Sequence, residues 1–232
     1  MVLRCLPTFW SVRPLARRYS QHAAGPLGLG LVLVLALGCR ERPPALLPPI
    51  FSDNFDRLEL GPDWRITAPP GTYRIDNGEL AVRGAHNHPA WLMTALPQDA
   101  VIEVDARSLS PAGDLKVEAW GDGKSFATEV EYTSSGYVFI HGGWQNRITA
   151  LCRQEEHGHD RQERADRRVV PGQRYHYLIA RSGRNVKWFI DGELVLQFDD
   201  QAPLAGPSHA YFGFDNWETD LRLDNLVIRP NR

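Results

Sequence analysis

Cysteine is scarce in this chain: 3 in 232 residues, at Cys5, Cys39 and Cys152. Only Cys152 lies beyond residue 50, so the body of the chain can form no internal disulfide. A lone cysteine reads as a small buried hydrophobe before it reads as a nucleophile. Lysine is scarce as well, 3 against 23 arginines. No apolar run reaches the roughly 18–20 residues that a membrane-spanning helix needs. Sustained helical periodicity is missing too, which excludes coiled coils and helical bundles. Acid is absent from residues 1–38, which hold four arginines, whereas residues 51–232 hold 20 basic and 27 acidic residues, a balance of −7. An acidic body lacks the basic footprint of proteins that bind nucleic acid or anionic membrane surfaces.

What is present at the start has the layout of an export signal. Arg4, Arg13, Arg17 and Arg18 form a positive region, and an apolar stretch of a dozen residues runs from Leu27 to Gly38. It ends in Ala36-Leu37-Gly38-Cys39, which resembles the bacterial lipobox, where the cysteine is freed at its amino group and carries lipid. The resemblance predicts a lipoprotein-type signal over 1–38, lipidation at Cys39, and an envelope protein anchored at the outer membrane or cell surface. A plain secretory signal with an incidental Cys39 remains the alternative. Residues 39–50, rich in proline, read as a short, stiff tether.

Residues 51–232 alternate polar and apolar side chains and are punctuated by turn residues. Asn77-Gly78 between Tyr73–Asp76 and Glu79–Val82 predicts a hairpin, as does Asp191-Gly192 after Trp188–Ile190. A third hairpin is expected to join 126–132 to 137–141 across Thr133-Ser134-Ser135-Gly136. Further strands are expected at 101–108, 115–120, 175–181, 209–214 and 221–228, with 153–168 as a charged, solvated loop. Many short strands at this spacing predict an all-β, two-sheet antiparallel sandwich.

The stretch from Tyr175 to Gly192, with its Trp188-Phe189-Ile190-Asp191-Gly192 turn, resembles the strand–hairpin signature of the concanavalin A-like lectin/glucanase superfamily. The opening Phe51–Asp56 with Trp64 and the closing Phe212–Phe214 and Leu223–Ile228 resemble its edge strands. The resemblance implies a jelly roll over 51–232 with adjacent first and last strands, and a curved sheet able to hold a glycan. In family-16 glycoside hydrolases of that superfamily the catalytic carboxylates sit in an E-x-D-x-(x)-E strand. Here Glu103 and Asp105 match it, and Arg107 or Ser108 stands where the second glutamate belongs.

A sugar ring has an apolar face and a hydroxyl rim, so a glycan site pairs aromatic platforms with carboxylates and amides. Candidates for such contacts are Trp91, Trp120, Tyr132, Trp144, Asn146 and Trp217, with His141-Gly142-Gly143-Trp144 as a binding loop. Hydrolysis needs two carboxyl groups about 5–9.5 Å apart. Glu118, Glu129 and Glu131, aided by His141, are the candidates for it. His86-Asn87-His88 and His157-Gly158-His159 are weak metal signals, and no transition metal or cofactor is expected. Calcium on Asp53, Asp56, Asp224 and Asn225 is the other cation considered. Three functions fit: an exported, lipid-anchored glycan-binding domain with no membrane contact beyond its anchor, a glycan-active hydrolase or lyase on the same scaffold, and a structural or protein-binding envelope protein.

Overall fold

The computed structural model describes residues 47–128 and 132–231. The expectations placed on Cys39, Glu129 and Glu131 fall outside these residues. The regular secondary structure of the described residues is almost all strand. In chain order these are β1 (Phe51–Asp53), β2 (Trp64–Ile66), β3 (Tyr73–Asp76), β4 (Glu79–Arg83) and β5 (Ala90–Leu92). Next come β6 (Ala100–Ser108), β7 (Leu115–Gly121), β8 (Thr133–Gly142), β9 (Ile148–Glu155) and β10 (Gln162–Arg164). The last five are β11 (Tyr175–Ser182), β12 (Asn185–Ile190), β13 (Glu193–Asp199), β14 (Tyr211–Asp215) and β15 (Asp220–Pro230).

They form two antiparallel sheets. The first runs β13-β12-β11-β6-β15-β4-β3, with β1 also on β15, and the second runs β10-β9-β8-β7-β14-β5-β2. The hairpins at Asn77-Gly78 and Asp191-Gly192 join β3 to β4 and β12 to β13 as expected. Both turns use positive φ, at Asn77 and Gly78 and again at Asp191 and Gly192. Phe51–Asp53 pairs with Leu226–Ile228, so the first and last strands are neighbours.

Period-two alternation builds the core between the sheets. Ile102, Val104 and Ala106 on β6 face it, as do Tyr175, Tyr177 and Ile179 on β11 and Phe212 and Phe214 on β14. Trp64 stacks on Phe214 at 5.2 Å between ring centroids and donates its indole N–H to Asp53. Cys152 is fully buried, as a small hydrophobe should be.

Three local expectations need correction. The stretch 153–168 is not loop throughout, because it holds the end of β9 and all of β10, which pairs with β9. Thr133–Gly136 is not a turn: β8 runs straight through it, with Thr133 opposite Glu155 and Tyr137 opposite Arg153, so extra residues bulge out of the strand. Gly136 serves close approach there, because a Cβ would sit 2.5 Å from the Ala119 carbonyl oxygen. Similarly, Tyr211 and Phe212 are consecutive yet pair with Gly121 and Ala119, leaving Trp120 as the extra residue of a bulge with φ 55°. The bulge turns Trp120 from the face of Lys116 and Glu118 into the core beside Ala119.

Candidate functional site

The outer faces of the two sheets differ. On the first sheet, Glu103, Asp105 and Arg107 alternate with core residues and are half-buried. On the second sheet every residue of β7 is buried, on both faces. Its outer face carries a small apolar cluster of Val138, Ile140, Ala150 and Cys152, with Trp144 packed against it. Beside that cluster lies a group of charged side chains removed from water. Lys116 on β7 stands opposite Asp215 on β14, and Glu118 lies two residues along the same strand.

These charges are only partly paired. Lys116 donates to the Asn87 side-chain oxygen at 2.6 Å and to Glu156 at 2.8 Å. Burial pulls its pKa down, but the carboxylates of Glu156, Asp114 and Asp215 raise it further, so it stays an ammonium. Glu118 accepts a hydrogen bond from the Ser134 hydroxyl, while its other oxygen and both oxygens of Asp215 have no partner among the described residues. Burial pushes Glu118 up to about 7, and the Ser134 bond and the Lys116 charge only partly oppose it. Burial also lifts Asp215 well above the ordinary carboxylate range, with Lys116 pulling against it.

A cleft of about 560 Å³ opens at one end of this face. Lys116, Glu156, Asn87 and Asp114 line it, with the half-buried Trp144 and Trp217 on its walls. Trp144 opens a left-handed turn in which φ is 51° at Trp144, 61° at Gln145 and 61° at Asn146. Such backbone costs non-glycine residues on the order of 1–3 kcal/mol each and persists where the surroundings impose it. Asn146 supplies that restraint, donating to the carbonyls of Pro111 and Val169 and accepting from the Val169 N–H. Arg161 lies over the Trp144 ring at 4.7 Å, and His157 meets its edge. Trp217 is held by its backbone N–H, which donates to the Asp114 carboxylate at 2.6 Å, and by His86 against its ring.

The residues proposed from sequence therefore divide. Trp144 and Trp217 are at the cleft; Asn146 braces the turn that presents Trp144. Trp91 is fully buried, donates its indole N–H to the Ser125 carbonyl, and lies across Gly121 and Gly213, where a Cβ would come within 2.5 Å and 2.9 Å of the ring. Trp120 is in the core. Tyr132 is buried close to Glu118, whose charge together with burial raises its pKa. His141 also belongs to the core: it is hydrogen-bonded to the Tyr177 hydroxyl at 2.8 Å, and burial lowers its pKa to about 4. None of these four can touch a ligand in the cleft.

Glu103 and Asp105, the half-match to the family-16 motif, face outward from the other sheet. Glu103 pairs with Arg229 and His176, and Asp105 with His176, Arg174 and Asn225. The oxygen ligands considered for calcium are engaged separately, Asp53 by Arg57 and Asp224 by Arg174. Among the described residues no three His, Cys, Asp or Glu side chains converge in a way that could hold a metal ion. The His86 and His88 pair is split in the same way, with His88 stacked on Phe126 at 5.3 Å while His86 meets Trp217. Sequence reasoning missed Asn87, Asp114, Lys116 and Asp215. The alternation Lys116-Val117-Glu118 did place two of the charges on one face, but nothing in it signalled that loops would cover that face.

No protein-family model matches the chain, and no curated protein matches it. Solved structures do. The carbohydrate-binding module CBM66 from Bacillus subtilis superposes with a TM-score of 0.55 at 14% identity, covering 74% of this chain and 96% of that one. The laminarinase from Rhodothermus marinus gives a TM-score of 0.55 at 13% identity, with 82% and 100% covered. The endo-β-1,3(4)-glucanase SCLam of family GH16 gives 0.52 at 14%, with 82% and 95% covered. At these identities the likeness concerns architecture, and it agrees with the strand order and the pairing of the chain's two ends: this chain has the concanavalin A-like jelly-roll fold.

Proposed function

We propose that the protein binds carbohydrate in the cleft on its second sheet, as an exported module anchored through a lipid on Cys39. The observation that carries the reading is the pairing of two half-buried tryptophans, Trp144 and Trp217, with Asn87, Asp114, Lys116 and Glu156 in one concavity. Aromatic rings meet the apolar faces of sugars, and the polar groups between them meet hydroxyls. The strained turn under Trp144 and the clamp by Asn146 fix one ring before any ligand arrives, which lowers the ordering cost of binding. The structural neighbours, a carbohydrate-binding module and two glucan-directed enzymes by their names, support a glycan ligand.

Binding is favoured over hydrolysis because the carboxyl groups with raised pKa, Glu118 and Asp215, are sealed beneath the surface and do not line the cleft. The β-1,3-glucan laminarin is the first probe. Calorimetric titration should show binding without release of reducing ends, and Trp144→Ala or Trp217→Ala should weaken it about tenfold with little change in Tm. Reducing-end release that is lost in Glu118→Gln would replace the binding reading with the hydrolytic one.

A further inference from the structure

The cleft's charges are unbalanced. Asp114, Glu156 and Glu218 place three carboxylates on its wall against one ammonium, Lys116. That ammonium is already committed, held by Glu156 and the Asn87 oxygen and facing Asp215 across the strand pair. Arg161, the cation seated on the ring of Trp144, is engaged by the Glu156 carbonyl and by Glu163. A uronate or sulfate entering the cleft would meet carboxylates and no uncommitted lysine or arginine on the wall. A positively charged ligand would meet the opposite: the exposed Glu218, Asp114 with its one bond to the Trp217 backbone N–H, and two indole rings, whose faces attract cations. The contact of Arg161 with Trp144 shows that this ring accepts a cation on one face.

We infer that the cleft selects glycans by charge: it admits chains of neutral sugars, holds amino sugars more tightly, and rejects polymers bearing carboxylate or sulfate. This rests on the glycan-binding reading above. An ammonium on C2 of a hexose is compact enough to lie beside Glu218 or Asp114 while the ring packs on tryptophan. The body's net negative charge acts in the same direction at longer range, and salt weakens that part.

The test is a set of matched hexamers titrated into the full protein at low ionic strength: glucosamine, laminarihexaose and galacturonate. Glucosamine hexamer should bind several-fold more tightly than laminarihexaose, and galacturonate should not bind detectably. Salt at about 0.5 M should narrow the gap between the first two. Glu218→Gln, a change at an exposed side chain, should reduce the ratio of glucosamine to laminarihexaose affinity about threefold. Equal affinity for glucosamine and laminarihexaose, or tight binding of galacturonate, overturns charge selection while leaving glycan binding standing. Failure of all three hexamers to bind would remove the glycan-binding reading itself, and the charge inference with it.

Discussion

Arg181 shows how much of this molecule depends on single buried groups. Its side chain is fully buried, its two terminal nitrogens have no hydrogen-bond partner among the described residues, and its guanidinium lies 5.2 Å from the Trp120 ring and 5.6 Å from Tyr137. The rings stand where hydrogen-bond acceptors would normally be. Trp120→Ala would therefore open a cavity and strip a buried cation of one of its supports. The expected loss is about 3–5 kcal/mol, a fall in Tm of roughly 10 °C or more by calorimetry; a melt unchanged from wild type would put Trp120 at the surface. Glu118 and His141 make stability depend on pH in opposite senses. Glu118 is raised from 4.5 to about 7, so the folded state keeps a proton that the unfolded chain releases, and stability is lost as pH rises through that window. His141 is lowered from 6.5 to about 4, so the unfolded chain takes up a proton that the folded state refuses, and stability is lost as pH falls through that window. Glu118→Gln keeps an acceptor for the Ser134 hydroxyl and removes the first effect. Urea midpoints of this variant should fall less than wild type between pH 5 and pH 8, the remaining slope being set by Asp215 and, in the opposite sense below about pH 6.5, by His141; parallel slopes would show that Glu118 is ionised in the fold.

Strands were legible wherever local chemistry and burial agreed. Asn77-Gly78 and Asp191-Gly192 supply the positive-φ positions their hairpins need, and those hairpins formed. The pairing of β1 with β15 followed from the resemblance of the body's two ends to the superfamily's edge strands. What misled was turn chemistry used inside a strand: Ser134 to Gly136 form a bulge, where Ser134 reaches Glu118 and Ser135 accepts from the Asp122 N–H. The bulge at Trp120 misled in the same way, since a strict period of two assigns that side chain to the wrong face. At the candidate site, Trp144 and Trp217 were legible as aromatics beside glycine, amide or acid. The Lys116–Glu156–Asn87 group was not, because it joins three segments far apart in the chain and its burial depends on loops. β15 lies between β6 and β4 and also carries β1, so it is the seam of the first sheet. Deleting residues 221–232 should abolish cooperative unfolding in circular dichroism, because buried backbone donors and acceptors on three partners lose their mates; a truncated chain with a cooperative melt would show that β15 is dispensable. Gly213→Ala should cost about 1–3 kcal/mol by chemical denaturation, since its Cβ would press on the Trp91 ring. A neutral outcome would mean that the ring can move aside.

For the whole molecule, a basic amino-terminal segment precedes in sequence an acidic sandwich, and the cleft on its second sheet is the proposed sugar site. Expression in a bacterium with labelled fatty acid should mark the wild type and leave Cys39→Ser unlabelled; equal labelling or equal membrane association of both would remove the anchor from the account. The cleft itself is tested most directly by its tryptophans. Trp64, Trp91, Trp120 and Trp188 are buried in the sandwich or under its outer face, whereas Trp144 and Trp217 are half-buried at the cleft. Each indole N–H gives its own signal in a ¹⁵N-correlated NMR spectrum, assigned by single Trp→Phe variants. On titration with laminarihexaose, the signals of Trp144 and Trp217 should move together along one binding curve while those of the four buried indoles stay in place. A ligand that binds with the Trp144 and Trp217 signals unmoved would contradict the site.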